Sequence, residues 1–121
     1  MNNGIVRGRV TKLVGKNATS IRKKKKGIPL KGIPVYVLLG KFRPFANIKD
    51  RQPLTLILTA YTDHEGRFEF SVRPGQYTIV AEINGKLYLN NYIDNGFWWY
   101  VHIHENQVMT YDITDTSEVT P

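Results

Sequence analysis

Cysteine is absent from all 121 residues. Disulfide bonds and thiol catalysis are thereby excluded, and a reducing compartment is permitted. No apolar run reaches the ~18 residues that a membrane helix needs, so no membrane partner is expected. The opening MNNGIVRGRV holds nothing like a secretory leader, which predicts a virion or cytoplasmic protein rather than one exported by a signal peptide. Acid is missing from the first 49 residues, which carry thirteen Lys and Arg before the first carboxylate, Asp50. Aromatics are missing between Met1 and Val35. No segment of ten or more residues shows a helical apolar stripe.

What is present alternates with a period of two. GIVRGRVTKL sets Val6 and Val10 against Ile5, Arg7 and Arg9. IPVYVLLG (33–40) and LTLILTAYT (54–62) are aliphatic, β-branched runs of the kind buried strands show. RFEFSV (67–72) puts Phe68, Phe70 and Val72 opposite Arg67, Glu69 and Ser71. QYTIVAEI (76–83) and KLYLNNYI (86–93) flank Asn84-Gly85, the strongest short hairpin signal, because both central positions of a type I′ turn need positive φ. FWWYVHI (97–103) and QVMTYDI (107–113) complete the set. The expectation is one all-β domain over 1–113, an antiparallel two-sheet sandwich of seven or eight strands. Two long connections, a basic one at 14–32 and another at 41–53, interrupt it, and residues 114–121 read as an acidic C-terminal tail.

TDHEGRFEF followed by RPGQYTIVA resembles the carboxypeptidase regulatory-like (transthyretin or prealbumin-like) family, whose pattern is Thr-Asp-x-x-Gly-x-Phe-x-Phe and then Pro-Gly-x-Tyr-x-Val. GIVRGRVTK resembles the family's Gly-x-Val-x-Gly-x-Val opening, and PLKGIPVYV its second strand, with Ile33 where alanine is usual. The resemblance covers residues 4 to 83 and implies a sandwich that serves as a non-catalytic accessory module. The residues agree with it. Asp63 can cap a turn, Gly66 can supply a left-handed position, and Pro74-Gly75 can reverse the chain.

Catalytic constellations are not legible. Ser20, Ser71 and Ser117 lack a nucleophile motif, and GKNATS lacks the full phosphate loop. The hydroxyisourate hydrolases built on a prealbumin-like fold end in Tyr-Arg-Gly-Ser, whereas this chain ends in EVTP. No enzyme activity and no cofactor are expected. His102 and His104 share one strand face, with His64 a possible third ligand, yet strand ends often carry solvated histidine and no metal site is expected. Asp63, Glu65 and Glu69 lack the spacing of a calcium loop.

Surfaces are more informative. From Asp50 onward there are four basic and ten acidic residues, so a +13 half is followed by a −6 half. Arg22, Lys23, Lys24, Lys25 and Lys26 form a basic run, and Asp112, Asp115 and Glu118 belong to the acidic end. Nucleic acid is a weaker reading of that run than an acidic protein surface, because no aromatic is interleaved for stacking. Tyr88, Tyr92, Trp98 and Tyr100 read as one outer aromatic face, the composition favoured at interfaces. These features predict a structural protein docking onto the subunits of a larger assembly, copies of itself included, such as a capsid decoration (cement) protein of a virion. The alternative is a carbohydrate-binding or adhesion module that stacks glycans on the same aromatics.

Overall fold

A computed structural model describes residues 2–15, 27–43, 56–88 and 100–119. Among them are ten strands and no helix. They are β1 (Gly4–Gly15), β2 (Ile28–Pro29), β3 (Pro34–Leu39), β4 (Leu56–Tyr61), β5 (Arg67–Val72), β6 (Gly75–Ile83), β7 (Lys86–Tyr88), β8 (Val101–Ile103), β9 (Val108–Thr110) and β10 (Ile113–Val119). Two five-stranded sheets result. In the first, β1 is flanked by β5 and β2 on one side and by β9 and β10 on the other. In the second, the order is β4-β3-β6-β7, with β8 also paired to β6.

The alternation read from the sequence sets the core. In β5, Phe68, Phe70 and Val72 are buried while Arg67, Glu69 and Ser71 are exposed. Val6 and Val10 of β1 meet them from the neighbouring strand. Opposite lie Val35 and Val37 of β3, Ile79 and Ala81 of β6, and Val101 and Ile103 of β8. β3 and β6 bury consecutive residues, which explains why β3 reads as an aliphatic run; β6, read as alternating, is buried on both faces over Tyr77–Ala81. Each such side chain contributes roughly 1.5–3 kcal/mol of burial free energy.

Local turn chemistry fixes the middle of the chain. The Asp63 carboxylate accepts from the backbone N–H of Glu65 and of Arg67, both at 2.9 Å. Gly66 closes that turn at φ 77°, with its N–H donating to the Asp63 carbonyl. A Cβ on Gly66 would also sit 2.6 Å from the Val10 carbonyl oxygen, so the position needs glycine twice over. Buried Thr62 donates its hydroxyl to the Leu30 carbonyl at 2.6 Å and accepts from the Ile33 N–H at 2.9 Å, tying the approach to β3 onto the end of β4. After Pro74-Gly75 turns the chain, the Tyr77 hydroxyl donates back to the Arg73 carbonyl at 2.7 Å, a tyrosine corner of the type sandwiches use. Asn84 and Gly85 take φ 54° and 78°, as the hairpin between β6 and β7 requires.

The structure departs from the sequence reading at three places. The described residues form ten strands rather than seven or eight, because a two-residue β2 lies within the expected basic loop and the 107–113 segment breaks into β9 and the start of β10. The sheets are mostly antiparallel, but β9 and β10 both run parallel to β1. The expected acidic tail is not a tail as far as Val119. It is β10, which pairs with β1 from Val10–Ile113 to Gly15–Val119 with one shift of register.

Candidate interaction surface

β1 and β5 present their odd-numbered residues on the outer face of the first sheet. The register sets Arg7 opposite Glu69, and Arg9 opposite Arg67. The first pair is complementary, with 3.5 Å between Arg7 Nε and Glu69 Oε1. The second would repel, since like charges directly opposite destabilise a sheet. The capped turn supplies the remedy. Arg67 reaches Asp63 at 3.1 Å and Glu65 at 3.4 Å, and Arg9 reaches Glu65 at 3.8 Å. These donors hold the Asp63 carboxyl below its ordinary value, with the Arg67 backbone N–H as the largest cause. All these side chains are exposed or half-buried, so each ion pair contributes only ~0–1 kcal/mol.

A groove of about 720 Å³ runs along this ladder and is lined by Arg7, Arg9, Arg67, Glu69 and Tyr61 among others. Tyr61, at the end of β4, is 68% exposed. The surface is therefore a bed of fixed, alternating charge beside an open aromatic ring. It suits contact with another charged surface. The sequence reading placed Arg7 and Arg9 on one face, and Arg67 and Glu69 on another, without singling either out. Only the register between β1 and β5, which no local pattern encodes, joins them into one ladder.

The residues singled out from the sequence are dispersed. Arg22, Lys23, Lys24, Lys25, Lys26, Tyr92 and Trp98 lie outside the described residues. Tyr88 and Tyr100 do not share a face. Tyr88 pairs with Ala81, and Val101 pairs with Tyr77, so Tyr88 lies on the same side of the sheet as the buried Val101. Tyr100 lies on the other side, beside His102, with ring centroids 6.1 Å apart and the Lys41 ammonium 6.0 Å from its own centroid. The Tyr88 hydroxyl instead accepts from the Thr116 N–H at 3.0 Å and meets the Thr116 hydroxyl at 3.1 Å, bridging the two sheets at the β7–β10 seam.

The acids divide as well. Asp112 is exposed at the surface, and its carboxylate accepts from the Arg9 N–H at 2.9 Å. Asp115 is no surface acid. It is 2% exposed and sits on the inner face of β10 opposite Lys12, because strand alternation turns it inward with Ile113. Glu118 takes its place in β10 opposite Val14.

The histidines are solvated. His64, His102 and His104 are all exposed, and His64 has one close acid, Glu65, at 3.7 Å. Among the described residues no three His, Asp or Glu converge to hold a metal ion. On the outer side of the second sheet the Tyr36 hydroxyl donates to Glu82 at 2.8 Å. Burial first, and the Glu82 carboxylate second, push the Tyr36 phenol up to about 12. Burial also raises that of Tyr111.

No family model matches this sequence, and no curated protein matches it. Among solved structures, the chain is similar to the crystal structure of GBS52, the minor pilin of the Gram-positive pathogen Streptococcus agalactiae. The TM-score is 0.54 at 18% identity, over 99% of this chain and 47% of that one. This chain thus spans about half the length of that pilin, and the likeness is one of fold alone, a β-sandwich.

Proposed function

We propose that this chain is a non-catalytic structural module that docks onto a larger assembly through its surfaces, in the manner of a decoration subunit on a virion shell. The observation that carries the reading is the charged ladder on β1 and β5. It holds three arginines and their acids in fixed register beside exposed Tyr61. Such a surface suits orientation-specific, salt-sensitive contact between proteins. The motifs over residues 4 to 83 support the finer placement with the carboxypeptidase regulatory-like modules, which serve as accessory domains. A fold shared with a minor pilin is compatible with a structural role and does not select the assembly. The glycan alternative loses part of its platform, since Tyr88 and Tyr100 lie on opposite sides of their sheet.

Sedimentation from the native lysate tests this reading. The chain is expected in the high-molecular-weight fraction at low salt, and to leave it as ionic strength rises. A chain with Lys23, Lys24, Lys25 and Lys26 changed to Glu is expected to stay in the supernatant with an unchanged melting temperature. A wild-type chain that remains free at every salt concentration, or that binds a glycan array through Trp98, overturns the proposal.

A further inference from the structure

The −6 half of the chain does not wait for a distant partner. Its last strand already lies on the +13 half. β10 and the Asp112 before it contribute three acids and no base, while β1 carries Arg7, Arg9 and Lys12 and no acid. Asp115 pairs with Lys12 in the ladder, and the Asp112 carboxylate holds the Arg9 N–H.

β10 is also held differently from the other strands of its sheet. Among the described residues it is the last strand in chain order. Among the described residues its one strand neighbour is β1, and the pairing is parallel, the slightly weaker geometry per residue. The register shifts between Lys12 and Val14. Ile113 is the one apolar side chain that its described residues place in the core. A two-residue joint, Tyr111-Asp112, separates it from β9, and its N-terminal side is fixed by the Tyr111 N–H donating to the Arg7 carbonyl at 2.8 Å. With β10 removed, β1 keeps β2, β5 and β9.

We propose that β10 is an exchangeable strand. Copies of this chain join when residues 113–119 of one copy occupy β1 of the next in the same parallel register. Every contact of β10 is then remade between chains, including the Tyr88–Thr116 bridge. Exchange of an identical element is a low-cost route to self-association, because closed and exchanged forms share their contacts and differ mainly in the joint. The partner is specified by the site: an uncharged or basic strand would lack the Asp115 that lies opposite Lys12. The proposal rests on the reading of the chain as an assembly component and names a contact between copies within it.

The absence of cysteine gives a clean test. Thr11 and Thr114 are ladder partners and line the same surface groove. Full-length chains carrying Thr11→Cys and Thr114→Cys are co-expressed, each distinguishable by a tag, and treated with a short thiol cross-linker. Exchange predicts a covalent product of the two unlike chains, at twice the 13.9 kDa chain mass, whose yield rises with concentration. Either single variant alone should give far less of it. The double variant, at high dilution, should close within one chain and so report the register. Complete intrachain closure of the double variant with no unlike-chain product at any concentration overturns the exchange. Failure of the double variant to close overturns the register on which it depends. Co-sedimentation of the uncross-linked chain is scored separately, so loss of exchange leaves docking onto an assembly intact.

Discussion

Residues 62–85, which give one strand to each sheet, and residues 111–119, which give one to the first, are held in place by opposite means. In the first region every reversal is secured by a neighbour in sequence. Asp63 caps its own turn, Tyr77 bonds four residues back, and Asn84-Gly85 forms its own hairpin. In the second, the contacts span the chain. Thr114 meets Thr11, Asp115 meets Lys12, and Thr116 meets Tyr88. The lesson is that one sandwich can combine a locally encoded frame with a last strand held almost wholly by distant partners.

The largest effects should come from core truncation in each region. Ile79 and Ile113 are both fully buried. Ile79→Ala and Ile113→Ala should each cost about 2–5 kcal/mol, measured by chemical denaturation. Hydrogen exchange should then separate them. Ile113→Ala is expected to strip protection first from residues 113–119, with β6 still protected, whereas Ile79→Ala lowers protection throughout. Equal loss across the molecule in both variants would erase the contrast.

Single hydroxyls sharpen it. Tyr77→Phe removes the bond to the Arg73 carbonyl and should cost about 1 kcal/mol of global stability. Tyr88→Phe removes the bridge to Thr116 and should act on β10 alone, speeding its hydrogen exchange and the rate at which cross-linked dimer forms, with the final yield unchanged because closed and exchanged forms lose the same bond.

The charged turn and the buried phenol predict pH windows at opposite ends. Tyr36 has a raised value in the folded protein, so the stability it contributes is complete below its ordinary 10.0 and disappears as pH rises through about 12. Tyr36→Phe should flatten that alkaline limb of the denaturation profile. Asp63 has a lowered value, so its contribution is complete above its ordinary 3.8 and is lost as pH falls through the lower folded value. Asp63→Asn should reduce the acid sensitivity of the melting temperature, the smallest of these effects because the group is exposed.

Legibility followed the same division. The strands over 67–72 and 76–83, the two turns and the corner were readable because alternation, glycine φ and side-chain caps act within a few residues. β10 does not stand out in the sequence although Ile113, Thr114, Thr116 and Val119 are β-branched, a usable signal that three nearby acids obscure. Its parallel partner lies a hundred residues away, and no local pattern names it. Tyr88 and Tyr100 read as one face in the sequence for the same reason. Alternation within a strand was correct, but the register between strands was not available. The ladder of Arg7, Arg9, Arg67 and Glu69 existed as two separate half-patterns until that register joined them.

Binding of the purified chain to the high-molecular-weight fraction of its native lysate, compared with an Arg7→Gln, Arg9→Gln variant that removes the charges without setting like charges opposite one another, tests the surface role most directly. The account predicts saturable, salt-sensitive binding by the native chain and a loss of at least tenfold, about 1.4 kcal/mol, for the variant at an unchanged melting temperature. Equal binding by both chains, or none by either, would contradict it.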